Sequence, residues 1–272
     1  MEINKIYNEN CLETMAKMSD NFIDLTITSP PYDNLRDYKG YTFEFESIAK
    51  ELYRVTKQGG VVVWVVSDAT INGSESGTSF KQALYFKEIG FSIHDTMIWD
   101  KGSFTATGSL KVRYASVFEY MFVLSKGKPK VFNPIKDKKN IHFGKTFTTS
   151  RVKQADGTTK ARCNPNKPTS EYGQRHNIWR INTAKPIGNH PAVFPELIAN
   201  DHIISWSNEG ELIYDPFMGS GTTAKMSILN NRNFIGSELS KEYYEIALNR
   251  ISECGGLFLN SFQTELSNEA GT

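Results

Sequence analysis

Apolar runs alternate with amphipathic stretches along most of this chain. Residues 61–66 read Val-Val-Val-Trp-Val-Val, with no polar interruption. A strand with one wet face would alternate, so this run predicts a strand covered on both faces. Strands are predicted over 3–7, 22–28, 60–66, 91–99, 117–124, 211–214 and 233–236. Helices are predicted over 45–56, 79–89, 195–206, 222–230 and 241–250. In the first helix Ile48, Leu52 and Val55 recur at helical spacing. Ser240 suits the cap of the last, and Gly59-Gly60 and Gly90 are expected to end helices. Strands alternating with helices predict an α/β fold with a mainly parallel, doubly wound sheet.

Residues 126–185 break that rhythm. They hold Pro129, Pro134, Pro165 and Pro168, many Lys, Thr and Asn, and few apolar clusters. This segment reads as a loop-rich lobe inserted between 1–125 and 186–272. Charge sharpens the division. The lobe carries 15 Lys and Arg against 3 Asp and Glu, net +12, so the remainder carries net −11 within a chain of +1. A basic segment in an acidic protein is the footprint expected for phosphate contacts. A solvated, lysine-rich insert is the plainer reading. Trp179 and His176 also fall here, and local packing is the simpler role for each. No apolar run approaches the roughly 20 residues that span a bilayer, and MEINKIYNEN has no apolar signal core. No membrane association and a cytoplasmic location are therefore expected. Cys11, Cys163 and Cys254 are widely spaced and odd in number, which favours neither a disulfide framework nor a metal site.

Two segments carry chemistry. Residues 215–223 read DPFMGSGTT and follow a predicted strand. Glycines at 219 and 221 allow a tight turn and close approach of a ligand to the backbone, and the helix starting near Thr222 offers free N–H groups. Glu238 ends the next strand, where nucleotide-type folds bind ribose hydroxyls. Asp215 would repel phosphate and attract a sulfonium or ammonium, which tilts the cofactor towards S-adenosylmethionine. A purely structural turn capped by Asp215 is the alternative. Residues 28–32 read TSPPY at the carboxyl end of another predicted strand. Successive prolines leave carbonyls without a helical use. The Ser29 hydroxyl and a proline carbonyl can then accept from one –NH₂ group, with Tyr32 as a flat stacking face.

With these residues in view, the chain resembles the beta-class amino-group-specific (N4-cytosine or N6-adenine) DNA methyltransferases. In that class the catalytic motif precedes target recognition, and the cofactor motifs come last. TSPPY resembles the catalytic motif and DPFMGSGTT the cofactor loop. NHPAVFP at 189–195 resembles the preceding cofactor motif. The resemblance implies a circularly permuted Rossmann-like methyltransferase fold with seven strands and 126–185 as target-recognition lobe. It implies that strand 211–214 neighbours 233–236, that 3–7 lies beyond, and that 22–28 lies across the switch point. Ser29, Pro30, Pro31 and Tyr32 would be catalytic. Asn10, Cys11, Ser29, His190, Asp215, Pro216, Phe217, Gly219, Gly221, Thr222 and Glu238 would bind the cofactor. Asn10 stands where many relatives have Asp.

The reaction implied is direct transfer to an amine on a base flipped from double-stranded DNA, with no metal and no covalent enzyme intermediate. No Pro-Cys dipeptide is present, which argues against cytosine C5 chemistry. In this class Ser at position 29 usually accompanies cytosine N4, so that target is favoured over adenine N6. Asp33, Arg36, Asp37, Tyr38 and Tyr41 form a polar loop that would close over the base or serve as ordinary surface. A homodimer and a cognate restriction endonuclease are further expectations. A non-catalytic DNA-binding module of the same fold is the reading from another class.

Overall fold

The computed structural model describes residues 1–31, 43–103, 110–146, 151–161, 167–184 and 194–255. They form two compact units, one of 1–133 with 177–272 and one of 134–176.

In the main sheet of the larger unit the strands are β1 (Lys5–Tyr7), β2 (Ile23–Thr28), β3 (Thr56–Val66), β4 (Ser92–Asp100), β5 (Phe118–Ser125), β6 (Ile178–Arg180), β7 (Leu212–Asp215) and β8 (Asn233–Ser237). They build one eight-stranded sheet in the order β1-β8-β7-β2-β3-β5-β4-β6. Only β5 runs against its neighbours. All seven expected strands are present, and β7 has β8 on one side and β2 on the other, as the permuted order requires. The eighth, β6, lies inside the segment set aside as lobe. Its Trp179 is buried in the core and stacks on His202 at 4.5 Å.

The helices are α1 (Cys11–Ala16), α2 (Phe45–Val55), α3 (Thr78–Glu88), α4 (Glu196–Trp206), α5 (Thr222–Leu229) and α6 (Lys241–Gly255). Along β3 alternate side chains enter different cores. Val62, Trp64 and Val66 pack with Met15 of α1, Ile48 and Leu52 of α2 and Phe86 of α3. Val61, Val63 and Val65 pack with Ile198 and Ile203 of α4 and Met226 of α5. The unbroken apolar run is thus a strand with helices on both faces.

Gly59 and Gly60 do not end a helix. α2 stops at Val55, Thr56 is already extended, and β3 carries both glycines. Ile23 pairs with Thr56 and Leu25 with Val61, so the intervening residues bulge from the ladder. A Cβ at Gly60 would meet the Asp24 and Lys57 carbonyls at 2.9 Å, and Gly59 has φ +80°.

The smaller unit holds two short antiparallel ladders, Lys138–Lys139 with Tyr172–Gly173 and Arg151–Lys153 with Thr159–Ala161. Arg175 donates to Asp137 at 2.8 Å through Nε. Among its described residues none is buried, so local hydrogen bonds rather than a core define it. Its bounds lie within the basic segment, whose outer parts belong to the larger unit.

Leu25 is fully buried on β2 between β7 and β3. Leu25→Ala should lower unfolding free energy by about 2–5 kcal/mol through lost transfer energy and a residual cavity. A urea midpoint shifted downward at unchanged slope is expected; an unshifted midpoint would contradict the packing described.

Candidate active site

Five neighbouring parallel strands, β1, β8, β7, β2 and β3, end on one edge of the sheet. Asn10, Glu238, Asp215 and Ser29 leave the first four of them, so the ladder collects residues that are up to 228 positions apart in sequence. Crevices at the carboxyl ends of such strands, where the connections diverge, are where open α/β sheets bind ligands. Here the divergence lies between β7 and β2. From β7 the chain moves through α5 to β8, and from β2 it moves through α2 to β3 in the other direction.

A buried carboxylate joins the two motifs at that point. Asp215 is 4% exposed. The Thr28 hydroxyl donates to its Oδ1 at 2.7 Å, the Phe217 N–H donates to Oδ1 at 3.0 Å, and the Thr223 hydroxyl donates to Oδ2 at 2.7 Å. Burial pushes the carboxyl up to about 6, against the opposing hydrogen bonds from Thr223, Thr28 and Phe217. The sequence pointed to Asp215 as an attractor of positive charge. In the folded chain its Oδ1 also ties the two loops together, while Oδ2 braces the glycine turn through Thr223.

The glycine turn is anchored on its other flank by Glu238. The Gly219 N–H donates to Glu238 Oε2 at 2.8 Å and the Ser240 N–H to Oε1 at 2.7 Å. Burial raises this carboxyl as well, opposed by the Ser240 and Gly219 amides. Each oxygen keeps a lone pair for a further donor. The Met218 N–H donates to the Ser237 carbonyl at 2.8 Å, which folds the turn back over β8. Gly221 has φ +82°, and a Cβ there would lie 2.9 Å from that of Ala247 on α6, so glycine permits both the turn and the close helix. Thr222 opens α5. Pro216 is buried and Phe217 half-buried, and the Phe217 ring packs edge-on against Phe43 at 5.7 Å.

Asn10 caps α1, its Oδ1 accepting from the Leu12 N–H at 2.9 Å, and Cys11 is buried as the first residue of that helix. The Glu238 N–H donates to the Tyr7 carbonyl at 3.0 Å, which brings the ends of β1 and β8 together. Ser29 is half-buried, Pro30 buried and Pro31 half-buried, directly after Thr28. Tyr32, the loop residues Asp33 to Tyr41, and His190 with most of the NHPAVFP motif lie outside the described residues.

Sequence reasoning did not single out Thr28, Thr223, Arg250 or Glu196. The two threonines stand inside the quoted motifs, but their common partner could not be read from spacing. Arg250 on α6 donates to the Ser220 carbonyl at 2.6 Å, the Ser220 hydroxyl at 2.9 Å and the Thr222 hydroxyl at 3.2 Å, and its charge is met by Glu196 at 2.8 Å. It supports the back of the turn. No motif marks it, only its place as the last residue of the helix predicted over 241–250.

The fold and its acid-flanked glycine turn define a Rossmann-like enzyme of the methyltransferase type. Its sequence matches the DNA methylase family over residues 23–249. The chain belongs to that family, the amino-group DNA methyltransferases. It is 56% identical over 242 residues to the orphan methyltransferase M.BamHII of Bacillus amyloliquefaciens, covering 86% of this chain and 90% of that protein. The fold is similar to that of the PvuII DNA methyltransferase described as cytosine-N4-specific, with TM-score 0.66, 21% identity and coverage of 90% and 85% of the two chains. It is also similar to a Thermus thermophilus protein described as a putative DNA modification methylase complexed with S-adenosyl-L-methionine, with TM-score 0.61, 22% identity and coverage of 92% and 93%.

The raised Asp215 carboxyl has a defined effect on stability. Its folded pKa lies above its unfolded value, so between the two the folded chain binds more protons than the unfolded one. Its contribution to stability therefore falls as pH rises from about 4 to about 6, by roughly 3 kcal/mol. Asp215→Asn lacks this titration. Urea unfolding across that range should show the wild type losing ground to the variant as pH rises. Parallel pH profiles would contradict the burial penalty.

Proposed function

We propose that this DNA methyltransferase transfers a methyl group from S-adenosylmethionine to the N4 amino group of cytosine in double-stranded DNA. The observation that carries the reading is the Thr28–Asp215 hydrogen bond, 2.7 Å long, between the strand ends bearing the SPP grip and the glycine turn.

The donor set fits this cofactor. Glu238 keeps acceptor capacity for ribose hydroxyls, and Asp215 adds a second negative charge at the turn. Among the described residues the one cation bonded to the turn, Arg250, is met by Glu196. Such a site favours a cation over a polyphosphate. Asn10, Cys11, Pro216, Phe217, Gly219, Gly221 and Thr222 would line it, with Ser29 at the junction and His190 contributing from the preceding motif. When bound, S-adenosylmethionine supplies an electrophilic methyl carbon on a sulfonium.

The chain's own task is to prepare the amine. The lone pair of an exocyclic amino nitrogen is delocalised into the ring and is a poor nucleophile. The Ser29 hydroxyl and the Pro30 carbonyl, accepting from its two N–H bonds, would localise that pair and stabilise the developing positive charge. Pro30 and Pro31 restrict the backbone that aims the carbonyl. Tyr32 would stack on the flipped base. In this family Ser at the position of Ser29 usually accompanies cytosine N4, which favours cytosine here. Adenine N6 is the competing outcome of the assay.

Incubation with duplex DNA and methyl-labelled S-adenosylmethionine, followed by nucleoside separation, should yield N4-methylcytosine. N6-methyladenine alone would overturn the base assignment. No labelled base, despite cofactor binding, would favour the non-catalytic module. Ser29→Ala should lower kcat by about 10²–10³; full activity would remove Ser29 from the reaction.

The basic unit 134–176 would position the duplex through its phosphates. It holds 10 Lys and Arg against 3 Asp and Glu, net +7. Replacing Lys138, Lys139 and Lys145 with Gln should reduce the slope of log binding constant against log salt by about 3. An unaltered slope would place docking elsewhere.

A further inference from the structure

We propose that Ile141 and Phe143 form an apolar wedge that enters the DNA base stack, an inference that rests on the methyl-transfer reading above. Ile141 is 94% exposed and Phe143 61% exposed. Water is a poor surrounding for two large apolar side chains one residue apart, and such exposure is informative where it is concentrated.

The turn that presents them is tied down at both ends. The Asn140 N–H donates to the Glu171 carbonyl at 2.8 Å, and the Asn140 side-chain amide donates to the Ser170 carbonyl at 2.9 Å. After the turn, the Gly144 N–H donates to the Thr169 carbonyl at 2.9 Å, and the Thr169 N–H returns to the Lys145 carbonyl at 2.9 Å. Within it, the Phe143 N–H donates to the Asn140 carbonyl at 3.3 Å, and Gly144 takes φ +76° to close it. The tip is therefore built before a partner arrives, which lowers the ordering cost of binding.

Charge selects the partner. Lys138 and Lys139 precede the tip and Lys145 follows it, all exposed. They lie in a unit of net charge +7. A lysine-flanked tip is drawn to a polyanion. An apolar side chain gains nothing from phosphates, and the broad apolar surfaces of a duplex are the faces of its stacked bases. Proteins that bend or open DNA insert Phe, Ile and similar residues there, part-unstacking a step. A base that must leave the helix before reaction has an unpairing cost, and a wedge that part-unstacks the duplex offsets it.

The test uses the full chain with Ile141→Ala and Phe143→Ala combined, in single-turnover methyl transfer. Two duplexes carry the mapped target site, one fully paired and one with the target base opposite an abasic position, where it is already free to leave. The variant should be about 10- to 100-fold slower on the paired duplex and within about threefold of wild type on the other. Thermal unfolding and the salt slope of DNA binding should match wild type, which separates this role from folding and from phosphate contact. Equal loss on both duplexes, or none on the paired one, would overturn the wedge alone. A variant that alters sedimentation without DNA and leaves both rates unchanged would assign the pair to contact with a second copy. Absence of wild-type transfer on either duplex would overturn the methyl-transfer reading and the wedge with it.

Discussion

The site depends on one buried carboxylate shared by two strands that are far apart in the chain. Asp215 ends β7 and Thr28 ends β2, and their hydrogen bond spans 187 residues of sequence. Removing a carboxylate from water is costly, and hydrogen bonds to both oxygens offset part of that cost. Thr28, Thr223 and the Phe217 amide provide those bonds. Each donor belongs to one of the two motifs, so satisfying the charge also aligns them. A small displacement of either loop would leave a buried acceptor short of a donor, an outcome costing about 1–3 kcal/mol or more. The carboxylate thus couples local polar satisfaction to the relative placement of Ser29 and the glycine turn.

Chain order matters little to this arrangement because the ladder, not the connectivity, decides which strand ends meet. β1 pairs with β8 and β2 pairs with β7, joining the beginning of the chain to its end. The insertion between β5 and β6 leaves that sheet intact because its boundaries are pinned. The Asn133 N–H donates to the Ser205 carbonyl at 2.8 Å, and the Asn177 amide reaches Asp95 and the Thr96 carbonyl at 3.2 Å. A segment held at both ends within the larger unit can vary in composition without propagating strain into the sheet.

Most of the sheet was legible because burial on both faces leaves a mark that needs no context, as in Val61–Val66. β6 was not. Ile178, Trp179 and Arg180 are too few for a period and sit among prolines and lysines, and only pairing with β4 makes them a strand. α1, six residues long, is likewise too short for a helical repeat, and Asn10 caps it. At the site, motif type and order pointed to Ser29, Asp215, Gly219, Gly221 and Glu238, and the strand ends bring these together. What could not be read was division of labour. Thr28 and Thr223 looked like neighbours of important residues and are instead the donors that hold Asp215. Arg250 had no local signature, because its partners at Ser220 and Thr222 lie 28 to 30 positions away.

Charge asymmetry would give the basic segment and the rest of the chain different physical roles in the proposed reaction. The chain outside 126–185 carries net −11, and its catalytic edge concentrates Asp215 and Glu238. That sign suits a sulfonium and opposes a phosphate backbone, so in the proposed reaction DNA affinity would rest on the basic segment. The basic segment, +12, has the opposite sign and, in its compact part, no buried residue among those described. The described residues of that compact part offer no buried wall, and a pocket needs walls that exclude water. In the proposed reaction affinity for the duplex would come from the basic segment and chemistry from the catalytic edge. A base can reach an acidic pocket only after it leaves the helix, carrying no more than its own phosphate linkages into the repulsive field. Base extrusion thereby answers a need of electrostatics as well as of geometry.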